Sequence, residues 1–237
     1  MKKISWRFAL IFVFVVIASF LLLWLGRNPF LNLVMSDNDV LNHYFNYELA
    51  TLPIALVTLG LIYLLAHDLK LSLFSLSKVD APVEPTPLLG IREPGKERWK
   101  SVGLSIGLII TLVTAVVMFL GTRGKTFSGQ LIPEVLWILL FALMNSFIEE
   151  VIFRLSFVSV GENEKLPRWI TLLFGALVFG VVHYFGVAPN GILGVFMASF
   201  IGFFLTKSIL ETRGFFWAWL IHFLQDVVII SALVLWV

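Results

Sequence analysis

The chain has 237 residues, of which 59% are hydrophobic and only 14% are charged, and its mean hydropathy is +0.96. Soluble domains usually carry about 25% charged residues, so this composition predicts a polytopic membrane protein and excludes an ordinary soluble domain. The formal net charge of +2 is too small to indicate a nucleic-acid partner, and the lack of cysteine excludes disulfides, thiolate metal sites and a cysteine nucleophile.

Seven apolar stretches are each close to, or longer than, the roughly 20 residues that a membrane-spanning helix needs. They cover residues 5–26, 47–66, 101–121, 132–158, 168–188, 190–210 and 214–236. The first has a basic start like a signal peptide, but its longer apolar run favours an uncleaved helix. Only residues 187–190 separate the fifth stretch from the sixth. The sequence therefore predicts an all-α membrane bundle of about seven transmembrane helices.

Polar residues predict the organisation and the orientation of this bundle. Two helices in residues 1–66 precede a proline-containing polar linker, 67–100, and a helical bundle follows in 101–237. Thirteen lysines and arginines fall on the N-terminus, the linker and the loops on the same side, against three on the other side, Arg27, Arg123 and Lys125. By the positive-inside rule, the N-terminus and the linker are cytoplasmic and the C-terminus is external.

The stretch N-S-F-I-E-E-V-I-F-R, residues 145–154, places three charges inside the fourth apolar run. Each charge costs about 2.5–3.5 kcal/mol at the bilayer centre, so each needs compensation or a function. Glu150 and Arg154 are four residues apart and can form an ion pair within the helix. Glu149 lacks a cation at that spacing, so we expect its partner to come from another helix.

Two further polar pairs lie in later apolar runs. Phe179 and His183 share one helix face, as do His222 and Asp226. Singly, these groups could be a structural ion pair, a helix staple and a packed histidine. Six ionisable residues in the last four spans together indicate one functional site, whereas the first three spans show no charge deep in an apolar run.

The depths of these groups in their helices agree only in part. At 1.5 Å per residue, Glu149 and His222 lie about 12–14 Å from the cytoplasmic helix ends, and His183 lies about 22 Å from its own. A helix that starts later, or a tilted one, would reduce this difference. We expect the three side chains to line one polar cavity that opens toward the cytoplasm.

Three motifs carry a resemblance to a known family. E-E-V-I-F-R matches EExxxR, F-G-V-V-H matches FxxxH, and H-F-L-Q-D matches HxxxN/D, in the order found in the CAAX protease and bacteriocin-processing family, also called Abi. The resemblance covers roughly residues 132–236 and implies an intramembrane endopeptidase of the glutamate type. It also implies that Glu150 and Arg154 support the catalytic glutamate.

The resemblance further implies the catalytic roles. Glu149 would act as general base and, with His183, hold and activate a water molecule. His222 and Asp226 would line the oxyanion site. Prenyl-protein members usually have Asn where this chain has Asp226, and an ionised aspartate cannot donate a hydrogen bond to an oxyanion. Asp226 is therefore expected to orient His222 or to be protonated.

Several alternatives stay open at this stage. Glu149, His183 and His222 could form a zinc site of the His₂Glu type, although H-E-x-x-H is lacking and we expect no cofactor. A proton-coupled transporter, or a catalytically silent scaffold of the same fold, could also carry buried charges. The expected partners are the lipid bilayer and a peptide or membrane-protein substrate, in a bacterial plasma membrane. Bacteriocin processing and self-immunity are the functions that the family suggests, and nothing in the sequence indicates recognition of a prenyl tail.

Overall fold

The structure, a computed structural model, describes residues 5–127, 131–186 and 190–236. Its helices are α1 Trp6–Arg27, α2 Asp39–Leu65, α3 Trp99–Gly121, α4 Leu131–Glu150, α5 Ser156–Asn163, α6 Arg168–Tyr184, α7 Gly191–Thr212 and α8 Phe216–Leu235. A π-helical turn, Val151–Leu155, joins α4 to α5. The predicted all-α bundle is confirmed. Lys2, Lys3 and most of the predicted break at 187–190 lie outside the described residues.

Six helical rods within these ranges are long and apolar enough to cross a membrane. They are α1, α2, α3, the continuous rod from α4 through α5, α7 and α8, and the shorter apolar α6 makes the seventh predicted span. The chain is thus a multi-pass membrane protein, and each predicted apolar stretch corresponds to one rod.

The second rod begins earlier than the sequence predicts. Residue 47 is the predicted start, but α2 begins at Asp39, because the side chain of Asn38 caps the helix by accepting hydrogen bonds from the backbone of Val40 and Leu41. Residues 39–46 are too polar to be recognised as part of an apolar span. The longer helix places Glu48 well inside the rod, where it is fully buried. The expectation that the first three spans carry no deep charge is therefore wrong.

Small residues bring α6 and α7 into close contact. A Cβ atom at Gly202 would lie 2.7 Å from the carbonyl oxygen of Gly175, so a larger residue at 202 would force the two helices apart. This hairpin is the wall of the bundle that carries the F-G-V-V-H motif.

The polar segment before α3 packs against the cytoplasmic end of the bundle under the predicted orientation. We call residues 67–98 the cap segment. Its Leu73 and Val83 are each 1% exposed and belong to the same hydrophobic core as α1, α2 and α8. The backbone carbonyl of Val79 accepts a hydrogen bond of 2.7 Å from the indole of Trp217. The division into 1–66, 67–100 and 101–237 stays a prediction.

Candidate active site

The C-terminal end of α4 holds the two adjacent glutamates on different sides of the helix. Glu150 is fully buried, and Glu149 retains 15% of its side-chain exposure and lines a cavity. The π-helical turn begins directly after Glu150 and contains Arg154. Turns of this type are rare and are frequently found at functional sites.

Arg154 is fully buried between a carboxylate and an aromatic ring. Its Nη1 atom lies 3.0 Å from Oε1 of Glu150, and its guanidinium carbon lies 3.6 Å from the centroid of the Phe179 ring. The ion pair that the i,i+4 spacing predicts is thus present. The guanidinium nitrogens have no well-aligned hydrogen-bond acceptor among the described residues, so the compensation for burial is electrostatic.

His222 of α8 connects the carboxylates of the site. Its Nδ1 atom lies 2.7 Å from Oε1 of Glu150, and its Nε2 atom lies 3.5 Å from Oε2 of Glu149. Nε2 also lies 3.6 Å from Oδ1 of Asp226. The partner of Glu149 therefore comes from another helix, as expected. Both Nε2 distances exceed a direct hydrogen bond and suit bridging through a water molecule or a substrate atom.

His183 lies near the C-terminal end of α6 and is half-buried. Its Nδ1 atom is 3.0 Å from the carbonyl oxygen of Phe179. The ring of Phe179 packs against both histidines, with its centroid 4.2 Å from that of His183 and 5.7 Å from that of His222. Nδ1 thus donates to a backbone carbonyl, as expected of a packed histidine, and Nε2 is available to other partners. His183, Glu149 and His222 line the same cavity, which confirms the predicted convergence.

Asp226 is held by a residue to which the sequence analysis gives no role. The amide of Asn145 donates a hydrogen bond of 3.0 Å to Oδ2 of Asp226, which joins α4 to α8. The neighbouring Gln225 is fixed by Thr114 at 2.6 Å and by Thr111 at 2.8 Å, so α3 also positions this part of α8. Asn145 lies one helical turn before Glu149, and this spacing was the available signal for its role.

A second group that the sequence analysis missed comes from α2. Tyr44 and Tyr47 line the cavity, and Glu48, next to Tyr47, is fully buried. Neither carboxylate oxygen of Glu48 has a hydrogen-bond partner within the described ranges. A further acidic group from the N-terminal half of the chain therefore lies beside the residues that line the cavity.

The cavity has a volume of about 510 Å³ and extends between the helices from Glu149 and His222 to one end of the bundle. Glu149 and His222 lie at its inner end, and Arg27, Lys125 and Trp236 line its outer end. Arg27 is the last residue of α1, and Lys125 and Trp236 follow the C-terminal ends of α3 and α8. All three helices run away from the cap segment. In the predicted orientation the cavity therefore opens to the outside, so the predicted orientation and the expected opening toward the cytoplasm cannot both hold.

The zinc alternative requires three ligands from Glu149, His183 and His222. In the described part of the chain, no three His, Asp or Glu side chains are arranged to hold a metal ion. Nδ1 of His222 faces Glu150, so only its Nε2 is directed toward Glu149. The absence of a cofactor stays a prediction.

Comparison with known proteins identifies the part of the chain that carries these groups. Residues 131–228 match the family model described as type II CAAX prenyl endopeptidase Rce1-like. The match covers about two fifths of the chain and contains all three motifs, whereas α1–α3, and with them Glu48, lie outside it. No curated protein and no solved structure matches the chain.

Proposed function

We propose, because residues 131–228 match the Rce1-like family of CAAX endopeptidases, that the chain is a glutamate-type intramembrane endopeptidase. The observation that carries this proposal is the 3.5 Å approach of Glu149 to His222 at the inner end of the cavity. A general base and a hydrogen-bond donor that face each other there can act on the two sides of one peptide carbonyl.

In the proposed reaction, the carboxylate of Glu149 accepts a proton from a water molecule, and the resulting hydroxide attacks the carbonyl carbon of the substrate. The tetrahedral intermediate collapses, the C–N bond breaks, and the proton held by Glu149 passes to the leaving amine. His183 positions the water through Nε2, since its Nδ1–H is donated to the carbonyl of Phe179. This step needs only the substrate and one water molecule.

His222 stabilises the oxyanion in this scheme. Its Nδ1–H is donated to Glu150, which fixes the ring, and the imidazolium form then presents Nε2–H toward the cavity. Removal of one oxyanion donor typically lowers the rate about 10²–10³-fold. Glu150 acts through His222 and is itself balanced by Arg154, so these two residues are positioning residues.

Asp226 has a positioning role in the proposal. One oxygen accepts the amide of Asn145, and the other lies 3.6 Å from Nε2 of His222. These contacts favour the orienting role over donation to the oxyanion. Asn145 and Asp226 thereby connect α4 and α8 immediately beside the reacting groups.

We place this activity in a bacterial plasma membrane, acting on peptides or membrane proteins, with bacteriocin processing or self-immunity as the setting that the family resemblance favours.

The proposed endopeptidase activity is tested by cleavage of a membrane-peptide library by the purified protein in lipid nanodiscs, read by mass spectrometry. Wild type and Glu93→Gln, a matched change on the exposed cap segment, should give the same products, and Glu149→Gln should give none. Pumped solute without any cleaved peptide would favour transport, and equal products from Glu149→Gln would refute the catalytic role.

A further inference from the structure

Among the described residues, the lining of the cavity extends from Glu149 and His222 toward the end of the bundle opposite the cap segment. We propose that substrates enter from the extracytoplasmic side, so that the enzyme cleaves peptide segments exposed on, or inserted from, the outer face of the membrane, and not cytoplasmic C-terminal tails. The nature of the substrate rests on the proposed endopeptidase function, but the direction of access does not.

The residues of α8 that line the cavity show the direction in which the cavity runs through the bundle. The residues of α8 and its C-terminal end that line it form one helical stripe, namely His222, Gln225, Asp226, Ile229, Leu233 and Trp236. From His222 to Trp236 the stripe is about 20 Å long at 1.5 Å per residue. No described residue of α8 before His222, and none of α4 after Glu149, contributes to the lining. The cavity therefore ends at the catalytic groups.

The opposite end is filled by aromatic side chains. Phe74 of the cap segment packs against Phe147 of α4 at 5.9 Å and against Phe215 at 5.0 Å, and Trp219 of α8 lies 6.0 Å from Phe147. We call these four residues the aromatic plug. The plug lies on the cap side of His222. Its Phe215 and Trp219 precede His222 along α8, which runs away from the cap segment.

Hydrogen bonds hold the cap segment over the plug. The backbone amide of Phe215 donates to the carbonyl oxygen of Ser75 at 2.9 Å, next to the bond between Trp217 and Val79. Glu84 forms an ion pair with Arg168, and its backbone oxygen accepts from Lys207. A cytoplasmic peptide would have to displace these contacts and the plug before it could reach Glu149.

The charge distribution assigns the two ends to the two sides of the membrane. Among the described residues, the end that carries the cap segment holds eleven of the lysines and arginines counted above. The opposite end holds Arg27, Arg123 and Lys125, of which Arg27 and Lys125 line the cavity. The cavity outlet thus lies on the extracytoplasmic side. Its walls are mainly apolar, and an extended peptide of about six residues spans the 20 Å to Glu149 at 3.3 Å per residue.

The chain lacks cysteine, so a single introduced cysteine reports access without a background. Leu233→Cys lies on the cavity wall, His43→Cys lies on the opposite wall, and Glu93→Cys in the exposed cap segment is the control. Each variant is expressed in a bacterial inner membrane and treated with a membrane-impermeant sulfonated maleimide before and after lysis of spheroplasts. We expect complete modification of Leu233→Cys and His43→Cys in intact spheroplasts, and modification of Glu93→Cys only after lysis.

The reverse pattern, or no modification of either cavity cysteine from outside, would overturn the proposal. Unfolding of each variant in detergent is measured in parallel, and His43→Cys provides the answer if Leu233→Cys fails to fold. Labelling requires no catalysis, so a protein that cleaves nothing can still show outward access. Conversely, an active protease whose cavity cysteines react only after lysis would refute access from the outside and leave the proposed function intact.

Discussion

Removal of Arg154 tests whether the buried ion pair with Glu150 holds the site together. Arg154→Met keeps most of the side-chain length over the Phe179 ring but removes the charge 3.0 Å from Glu150. Both partners are fully buried, and loss of one partner of such a pair costs about 3–5 kcal/mol. Glu150 keeps its 2.7 Å contact with His222, which favours the lower part of that range. For a chain of this length the expected decrease in Tm is about 6–12 °C.

The double variant Glu150→Gln, Arg154→Met separates the charge from the packing. No unpaired charge is left, and the glutamine introduced in place of Glu150 can still accept a hydrogen bond from His222, so most of the lost stability should return. The four proteins of this cycle are compared by thermal unfolding in one detergent at one protein concentration. If the losses in the two single variants simply add in the double variant, the two side chains are not coupled and the explanation is wrong.

Three further predictions concern the remaining groups of the site. Asp226→Asn should keep cleavage within about threefold of wild type, because Asn can still accept the amide of Asn145, whereas Asp226→Leu should lose it; equal loss in both would show that the negative charge is required. Glu48→Gln should not lower Tm, because neither carboxylate oxygen has a hydrogen bond to lose within the described residues; a decrease of several degrees would reveal a partner. Metal chelators should leave the rate of peptide cleavage unchanged, and restoration by added zinc of activity lost to a chelator would contradict the proposed reaction.

The predicted spans follow the structure closely because apolar length depends on local composition. Each of the seven stretches corresponds to one rod, and the motif residues fall on neighbouring faces, since i,i+4 spacing fixes contacts within a helix. The pair of Glu150 with Arg154 is such a contact. His222 and Glu150 are 72 residues apart in sequence, so their contact could not be predicted from spacing. The sequence predicted only that Glu149 needs a partner from another helix.

Other features depend on packing that spacing cannot reveal. Glu48 was missed because the polar first turns of α2 hide its position in the middle of a rod. The position of the cavity opening relative to the cap segment could not be read from the chain. The cap segment reads as a polar linker, yet its Phe74 and Leu73 pack into the other end of the bundle. The π-helical turn after Glu150 was not predicted, and its five residues are all buried.

The role of Glu149 as general base is tested most directly by its replacement with glutamine. Glu149→Gln keeps the size and much of the polarity of the side chain, and Glu93→Gln on the exposed cap segment provides the matched control. Initial rates of cleavage of one identified peptide are measured in nanodiscs, together with Tm for both variants. We expect the rate of Glu149→Gln to fall about 10²–10⁴-fold with no decrease in Tm, and that of Glu93→Gln to equal wild type. A Glu149→Gln protein that still cleaves at the wild-type rate, or that unfolds as readily as Arg154→Met, would contradict the assignment of Glu149 as the catalytic base.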